Sequence, residues 1–182
     1  PAGRLQHLHA AAEAAVAHVV GIDEQTAVSA LSQFECGFGR AEQFKLGQAQ
    51  ARMMLVKNPA GFNQVINLIA HDEGNYKLAF LLNDARGGTD ISWIWDVDFE
   101  ALADQQVRFT RVLVSGVRAD DMALRLKSQL APERIEVIRE YDRLLTEIGS
   151  DETPAFLMPT YTAMFDLRGE ISKHTDVKAF YE

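Results

Sequence analysis

A single cysteine, Cys36, stands among 182 residues. That excludes an internal disulfide and any cysteine-based zinc site. Flanked by Phe34 and Phe38, with no base near it in sequence, Cys36 reads as a small buried hydrophobe rather than a nucleophile. Basic residues are also scarce: 18 Lys and Arg against 26 Asp and Glu leave a net charge of −8. Nowhere do Lys and Arg cluster as phosphate-backbone binding requires, which argues against nucleic acid as a partner. Long apolar runs are missing too. The one around residues 16–20 falls well short of the roughly 20 residues of a membrane span, and no basic segment followed by an apolar one opens the chain. A reducing cytoplasm is the compartment these features suggest. No GxxxxGK[ST] pattern occurs, so the chain has no loop of that kind for nucleotide phosphates. Nor can a Ser-His-Asp or Cys-His set be assembled. His7, His9 and His18 lie on one Ala-rich helix without acidic company, and His71 and His174 read as helix-end surface residues. No metal site is expected.

What is present is an ordinary globular composition, 47% hydrophobic and 24% charged, in a length that suits one domain or one domain with a fragment of another. A chain of this size buries roughly 70% of its unfolded surface and needs no metal or disulfide staple. LQHLHAAAEAAVAHVV (5–20) carries apolar residues at helical spacing. GID stops it, and Asp23 caps a second helix running to about Phe34. Neither helix has a sheet to cover, so residues 1–36 read as the tail of a larger unit. The composition shifts at residues 37–40, opening a second unit, 37–182. There Gly47 turns a hairpin that leads into a buried strand, 53–56. NPAGFNQVINLIA forms a helix with Asn58 as cap, Pro59 at the first helical position, and Phe62, Val65, Ile66 and Ile69 on one face. KLAFLLND (77–84) and FTRVLVSG (109–116) are continuous apolar runs, as central parallel strands are. RADDMALRLKSQL and PERIEVIREYDRLLTEI read as two amphipathic helices, the second with Pro132 near its start. AFLMP gives a short last strand and TYTAMFDLRGEIS a last helix. This alternation predicts an α/β fold: a Rossmann-like, mostly parallel sheet with helices on both faces, preceded by two short helices.

In an open parallel sheet, ligands sit outside the carboxyl ends of the strands. That singles out the loops 57–63, 83–96 and 115–121. Lys57 and Asn58 lie at a helix N-terminus, where free N–H groups favour an anion; a capping Asn beside a solvated Lys is the equally weighted alternative. In LLNDARGGTDISWIWDVDFE (81–100), Asp84, Asp90, Asp96 and Asp98 can be metal ligands, acid–base groups, orienters of a histidine, or simply solvated carboxylates. No histidine stands near them, which weakens the metal reading. Trp93 and Trp95 alternate within SWIWD, so one is expected to pack and the other to cover a partner or ligand.

Five stretches together resemble one family: GRAEQF (39–44), VKNPAGFNQVI (56–66), LLNDARGGTDISWIWD (81–96), SGVRADDMALRLK (115–127) and MPTYTAMFDLR (158–168). Over about residues 37–170 the chain is similar to the C-terminal domain of MurT, the Mur-ligase-like subunit of lipid II isoglutaminyl synthase. Residues 1–36 resemble the last helices of the central, ATP-binding Mur ligase domain. The resemblance implies an amidotransferase subunit that uses ATP and Mg2+ to activate the α-carboxylate of D-glutamate in the lipid II stem peptide. A GatD-type glutaminase subunit would hydrolyse glutamine and supply the ammonia, giving D-isoglutamine. The family's nucleotide loop, and the zinc ribbon of many members, belong to the central domain. This implies no zinc in the present chain, and no activity of this piece alone.

The resemblance further implies that an aspartate of this domain reaches the partner's Cys-His pair and fixes the histidine tautomer. Asp96 ranks first, Asp90 second and Asp84 third. It also implies that Arg40, in GRAE, is a hinge arginine near the nucleotide, and that Asn58 and Asn63 face ATP, with Lys57 replacing the acid that amino-acid-adding ligases carry. The implied setting is cytoplasmic, at the inner face of the membrane, with no transmembrane segment. Two alternatives stand beside it. One is a Mur or folylpolyglutamate-type ligase domain that adds an amino acid directly, in which neither WIWD nor SGVRADDMALRL is expected. The other is a non-catalytic module that only docks a glutaminase.

Overall fold

Alternating strand and helix patterns resolve, in a computed structural model of the chain, into two units divided between Cys36 and Gly37. Residues 4–33, 40–84 and 90–175 are described. The readings placed on Cys36 and on the side chains of His7, His9 and Arg40 lie outside the described residues. The first unit holds α1 (Arg4–Val19) and α2 (Glu24–Gln33). Asp23 caps α2 as its position before the helix predicts. Its Oδ1 accepts the Thr26 backbone N–H at 2.9 Å and its Oδ2 the Thr26 hydroxyl at 2.5 Å. These bonds, the hydroxyl's first, hold the carboxyl below its usual range.

The second unit is built on one six-stranded sheet. Its strands are β1 (Arg40–Leu46), β2 (Ala49–Met54), β3 (Tyr76–Leu81), β4 (Phe109–Ser115), β5 (Ile135–Val137) and β6 (Ala155–Pro159), in the spatial order β1-β2-β6-β3-β4-β5. All neighbours are parallel except β1 and β2, which form the hairpin turned at Gly47. The register of that hairpin skips Ala41, whose φ of 62° is the one positive value of a non-glycine among the described residues. Ala41 thus sits as a β-bulge inside the GRAE motif. Glu42, next along, pairs with Arg168 of the last helix, both largely buried.

Among the described residues, five helices complete the unit: α3 (Pro59–His71), α4 (Glu100–Ala103), α5 (Ala119–Leu126), α6 (Tyr141–Ile148) and α7 (Tyr161–Ile171). One sheet face packs against α3, a 3-10 turn at Ser92–Asp96, α4 and α5, with Phe62, Ile66, Phe80, Phe99, Met122 and Leu126 in a single apolar layer. The other packs against α6 and α7 through Ala79, Leu113, Leu144, Ile148, Met164 and Leu167. Phe62 is fully buried, and burying one such side chain contributes about 2–3 kcal/mol. It comes from the helix that Asn58 and Pro59 start, so local capping chemistry and the core depend on the same short segment.

One expected element is corrected. PERIEVIREYDRLLTEI is not a single helix: Pro132–Arg134 is a 3-10 turn, Ile135–Val137 is the edge strand β5, and only Tyr141–Ile148 is helical. The apolar spacing of Ile135, Ile138 and Leu145 suits a helix. Pairing of Ile135 and Val137 with Val112 and Val114 of β4, however, adds a strand that closes the sheet edge. Sheet pairing overrides local pattern here.

Candidate functional site

β3 and β6 are neighbours whose following segments leave toward opposite faces of the sheet, the first toward α3 and α5, the second as α7. Such a divergence leaves a crevice at the carboxyl end, the usual ligand position in this architecture. Asn83 fills its base and is 7% exposed. Its backbone N–H donates to Thr160 Oγ1 at 3.0 Å, its Nδ2 donates to Asp166 Oδ2 at 3.0 Å, and its Oδ1 accepts the Val117 N–H at 2.7 Å. One residue thereby joins the exits of β3, β4 and β6. Tyr141 lies on the same residue, its hydroxyl 3.4 Å from Asn83 Nδ2, and burial pushes its pKa up.

Gly116 makes this junction close. Its φ of 94° is a left-handed value that favours glycine, and a Cβ there would lie 2.4 Å from Leu82 O. The turn it permits brings the Arg118 N–H to Leu82 O at 2.9 Å. Arg118 then extends between two acids, with Nη1 2.9 Å from Asp84 Oδ2 and Nε 2.7 Å from Asp121 Oδ2. The hydrogen bond from Arg118 holds the Asp121 carboxyl below its usual range.

The three ranked aspartates occupy different situations. Asp84 belongs to the Arg118 ion triad. Asp90 accepts the Ser92 N–H at 2.8 Å, a local turn that lowers its pKa, the backbone bond first and the Ser92 side chain next. Asp96, at the end of the 3-10 turn, is exposed, and its carboxylate has no hydrogen-bond partner among the described residues. The turn itself is firmly held. Trp93 packs inward, its ring 6.3 Å from that of Phe62, and Phe99 meets Phe62 edge-on at 5.2 Å. Trp95 points out, 54% exposed. One tryptophan packs as the sequence predicts and the other is exposed, though a 3-10 turn separates them and not strand alternation.

Asn58 caps α3, accepting the Gly61 N–H at 2.8 Å. Asn63, one turn on, accepts the Asp98 N–H at 2.9 Å and so ties α3 to the segment after the tryptophans. Arg40 is the first residue of β1, immediately before the Ala41 bulge. Sequence reasoning did not single out Asn83, Arg118 or Arg125. Arg118 carried a signal, an acid three residues on in RADD; Asn83 and Arg125 carried none beyond their place in LLND and ALRLK. Among the described residues one trio has metal-ligand composition, Asp142, Glu170 and His174. His174 Nε2 lies 3.2 Å from Asp142 Oδ1, and Glu170 is shared with Lys173 at 2.6 Å. No described helix is long and apolar enough to cross a membrane.

Residues 55–164 match the family described as MurT ligase C-terminal. The chain is 33% identical over 163 residues to the lipid II isoglutaminyl synthase (glutamine-hydrolyzing) subunit MurT of Streptococcus pneumoniae, covering 88% of this chain and 36% of that protein. It is 32% identical over 175 residues to the subunit of the same name from Staphylococcus aureus strain COL, covering 94% of this chain and 39% of that protein. It therefore spans little more than a third of either relative's length. Among solved structures, the fold is shared with the UDP-N-acetylmuramate-alanine ligase MurC of Thermotoga maritima (TM-score 0.63, 14% identity, 96% of this chain and 38% of that one). Folylpolyglutamate synthase of Mycobacterium tuberculosis shares it as well (TM-score 0.56, 18% identity, 87% and 37%). On the match over residues 55–164 and these identities, the chain belongs to the MurT ligase C-terminal family.

Proposed function

We propose that this chain is the C-terminal part of the MurT subunit of a glutamine- and ATP-dependent amidotransferase acting on lipid II. In the complete protein, ATP with Mg2+ phosphorylates the α-carboxylate of the stem-peptide D-glutamate. Ammonia then displaces the phosphate to leave D-isoglutamine. The present domain contributes at the other end of the reaction, where a GatD-type glutaminase subunit releases that ammonia from glutamine. It docks the glutaminase through Trp95, and the Asp96 carboxylate accepts the N–H of the glutaminase histidine. That bond selects the tautomer that deprotonates the cysteine and stabilises the imidazolium that forms. Arg40, Asn58 and Asn63 face the nucleotide side of the whole protein, and zinc, where a complete member carries it, sits in the central domain. The setting is the cytoplasm, at the inner face of the membrane.

The observation that carries this reading is the contrast among the aspartates. Asp84 is bound to Arg118 and Asp90 to the Ser92 N–H, whereas Asp96 is exposed beside the exposed Trp95. An acceptor for a partner's histidine must be unengaged and near a surface that a partner can dry. Removing the aspartate of such a triad costs about 10⁴-fold in the serine proteases. The test is glutamine hydrolysis by the glutaminase mixed with complete protein carrying Asp96→Asn, with complex formation followed by gel filtration. Collapse of hydrolysis in an intact complex supports the split triad. Unchanged hydrolysis moves the role to Asp90. Loss with neither substitution leaves a dock without a catalytic carboxylate.

A further inference from the structure

The segment SGVRADDMALRLK contains a charged side chain that the proposed chemistry leaves unused. Arg125 lies on α5, beside the apolar stripe formed by Ala119, Met122, Ala123 and Leu126, and is 4% exposed. Burying a guanidinium removes it from water at a cost of several kcal/mol unless its donors and charge are met. The nearest carboxylate is Glu100, 3.4 Å away and half exposed. The stronger partners are backbone carbonyls. Nη2 donates to Val97 O at 2.7 Å and Nε donates to Ile94 O at 3.3 Å, while Nη1 donates to Ser128 Oγ at 2.9 Å. Its Cζ lies over two rings, 5.0 Å from the Phe99 centroid and 5.8 Å from that of Trp95.

The pattern of acceptors is informative. Ile94 O accepts only a long bond from the Val97 N–H, 3.4 Å, and Val97 O accepts the Phe99 N–H at 3.0 Å, so the guanidinium gives each carbonyl a second donor at the end of the turn. Ile94 and Val97 bracket Trp95 and Asp96, and the guanidinium spans their two carbonyls. A fork of fixed geometry can hold two such points and an aromatic face together; an ammonium on a flexible stem cannot. The opposite side of the turn is held by Phe62 against Trp93 and Phe99, and by Asn63 on the Asp98 N–H. On the Arg125 side lies the ring of Trp95, whose neighbour in sequence is Asp96.

We propose that Arg125 is the positioning residue of the partner-facing turn: by bridging Ile94 O and Val97 O against the Trp95 ring, it sets the direction in which the Trp95 indole and the Asp96 carboxylate meet the glutaminase. This rests on the reading of Asp96 given above. Placement matters because a triad carboxylate displaced by about 1 Å costs on the order of 10²-fold in rate. Arg125 touches no reacting atom and acts only through the turn.

The test is a double-mutant cycle in the complete protein with its glutaminase partner, using Arg125→Lys, Asp96→Asn and both together. Glutamine hydrolysis is measured at saturating partner. Trp95 emission is followed in a Trp93→Phe background. Arg125→Lys is expected to change Trp95 emission and quencher access and to lower kcat at least 10-fold with KM for glutamine little changed. In the Asp96→Asn background it is expected to have no further effect on kcat. Should Arg125→Lys fold poorly, Ser128→Ala removes the Nη1 acceptor together with the hydroxyl's own bond to Arg125 O, and is expected to produce a smaller change of the same kind. An Arg125→Lys effect on kcat that persists undiminished in the Asp96→Asn background overturns the proposal, as does unchanged Trp95 emission. Failure of the underlying reading looks different: Asp96→Asn alone then leaves hydrolysis intact.

Discussion

Asn83 Oδ1 accepts the Val117 N–H at 2.7 Å, and this bond joins the exits of β3 and β4. Because the same side chain also donates to Asp166, the carboxyl end of the sheet depends on one largely buried amide. Asn83→Ala leaves the Val117 donor without its partner, at a cost of about 1–3 kcal/mol. Thermal unfolding should show it as a Tm lower by several degrees. Gly116→Ala should cost at least as much, since it combines a left-handed φ with a Cβ 2.4 Å from Leu82 O. Ser115, next to it, gives the contrast. Its Oγ is buried without a hydrogen-bond partner among the described residues, so Ser115→Ala should leave Tm unchanged or raise it.

The two tryptophans should separate folding from association. Trp93 packs on Phe62 within the core layer, and Trp93→Ala is expected to destabilise the domain by about 2–4 kcal/mol. Trp95 is 54% exposed. Trp95→Ala should shift the denaturation midpoint only slightly while weakening glutaminase binding at least 10-fold, as loss of an interface tryptophan commonly does. Denaturant melts and a binding titration on the same two variants check both halves. Equal losses of stability from the two would contradict the division.

Much of the fold could be read from local chemistry. Asn58 and Pro59 start α3 where a cap and a first-position proline should, and residues 78–82 form a fully buried run as a central strand does. What escaped was set by distant partners. Ile135–Val137 is a strand only because β4 offers it an edge. Arg125 looks like any arginine bordering an amphipathic helix until the carbonyls of Ile94 and Val97, some thirty residues upstream, arrive above it. Asn83 ends a strand-like run, and only the return of the chain as β6 and α7 supplies Thr160 and Asp166. Of the candidate site, the loops were legible and the roles within them were not. Which aspartate is engaged depends on Arg118 and Ser92, and neither pairing follows from spacing alone.

Asn58 has a structural duty that must be separated from its proposed place near the nucleotide. Its Oδ1 caps α3 through Gly61, so Asn58→Ala should cost about 1 kcal/mol in domain stability whatever else it does. Asn58→Asp keeps an acceptor and adds a charge that the helix dipole tolerates, so its Tm should match that of the parent. In the complete protein the same carboxylate would oppose bound phosphates, and the KM for ATP should rise several-fold. An unchanged KM beside an unchanged Tm would confine Asn58 to capping.

At the amino end of the sheet, a buried lysine provides a pH signature that is independent of function. Lys77 is fully buried at β3 and donates to Ile148 O at 2.8 Å, while its Nζ lies 3.0 Å from Asp151 Oδ1. Asp151 also accepts the Thr153 N–H at 2.8 Å. Thr153 and then Lys77 push the Asp151 carboxyl down from 3.8 to about 2. A folded-state pKa below the unfolded one means that the ionised carboxylate favours the native state. Its contribution is present above pH 3.8 and fades as the pH falls toward about 2. Asp151→Asn should therefore lower stability relative to the parent at pH 6, and the gap should narrow steadily on acidification. Urea melts at a series of pH values measure it directly. A gap that stays constant down to pH 2 would assign the effect to packing of the side chain and remove charge from the account.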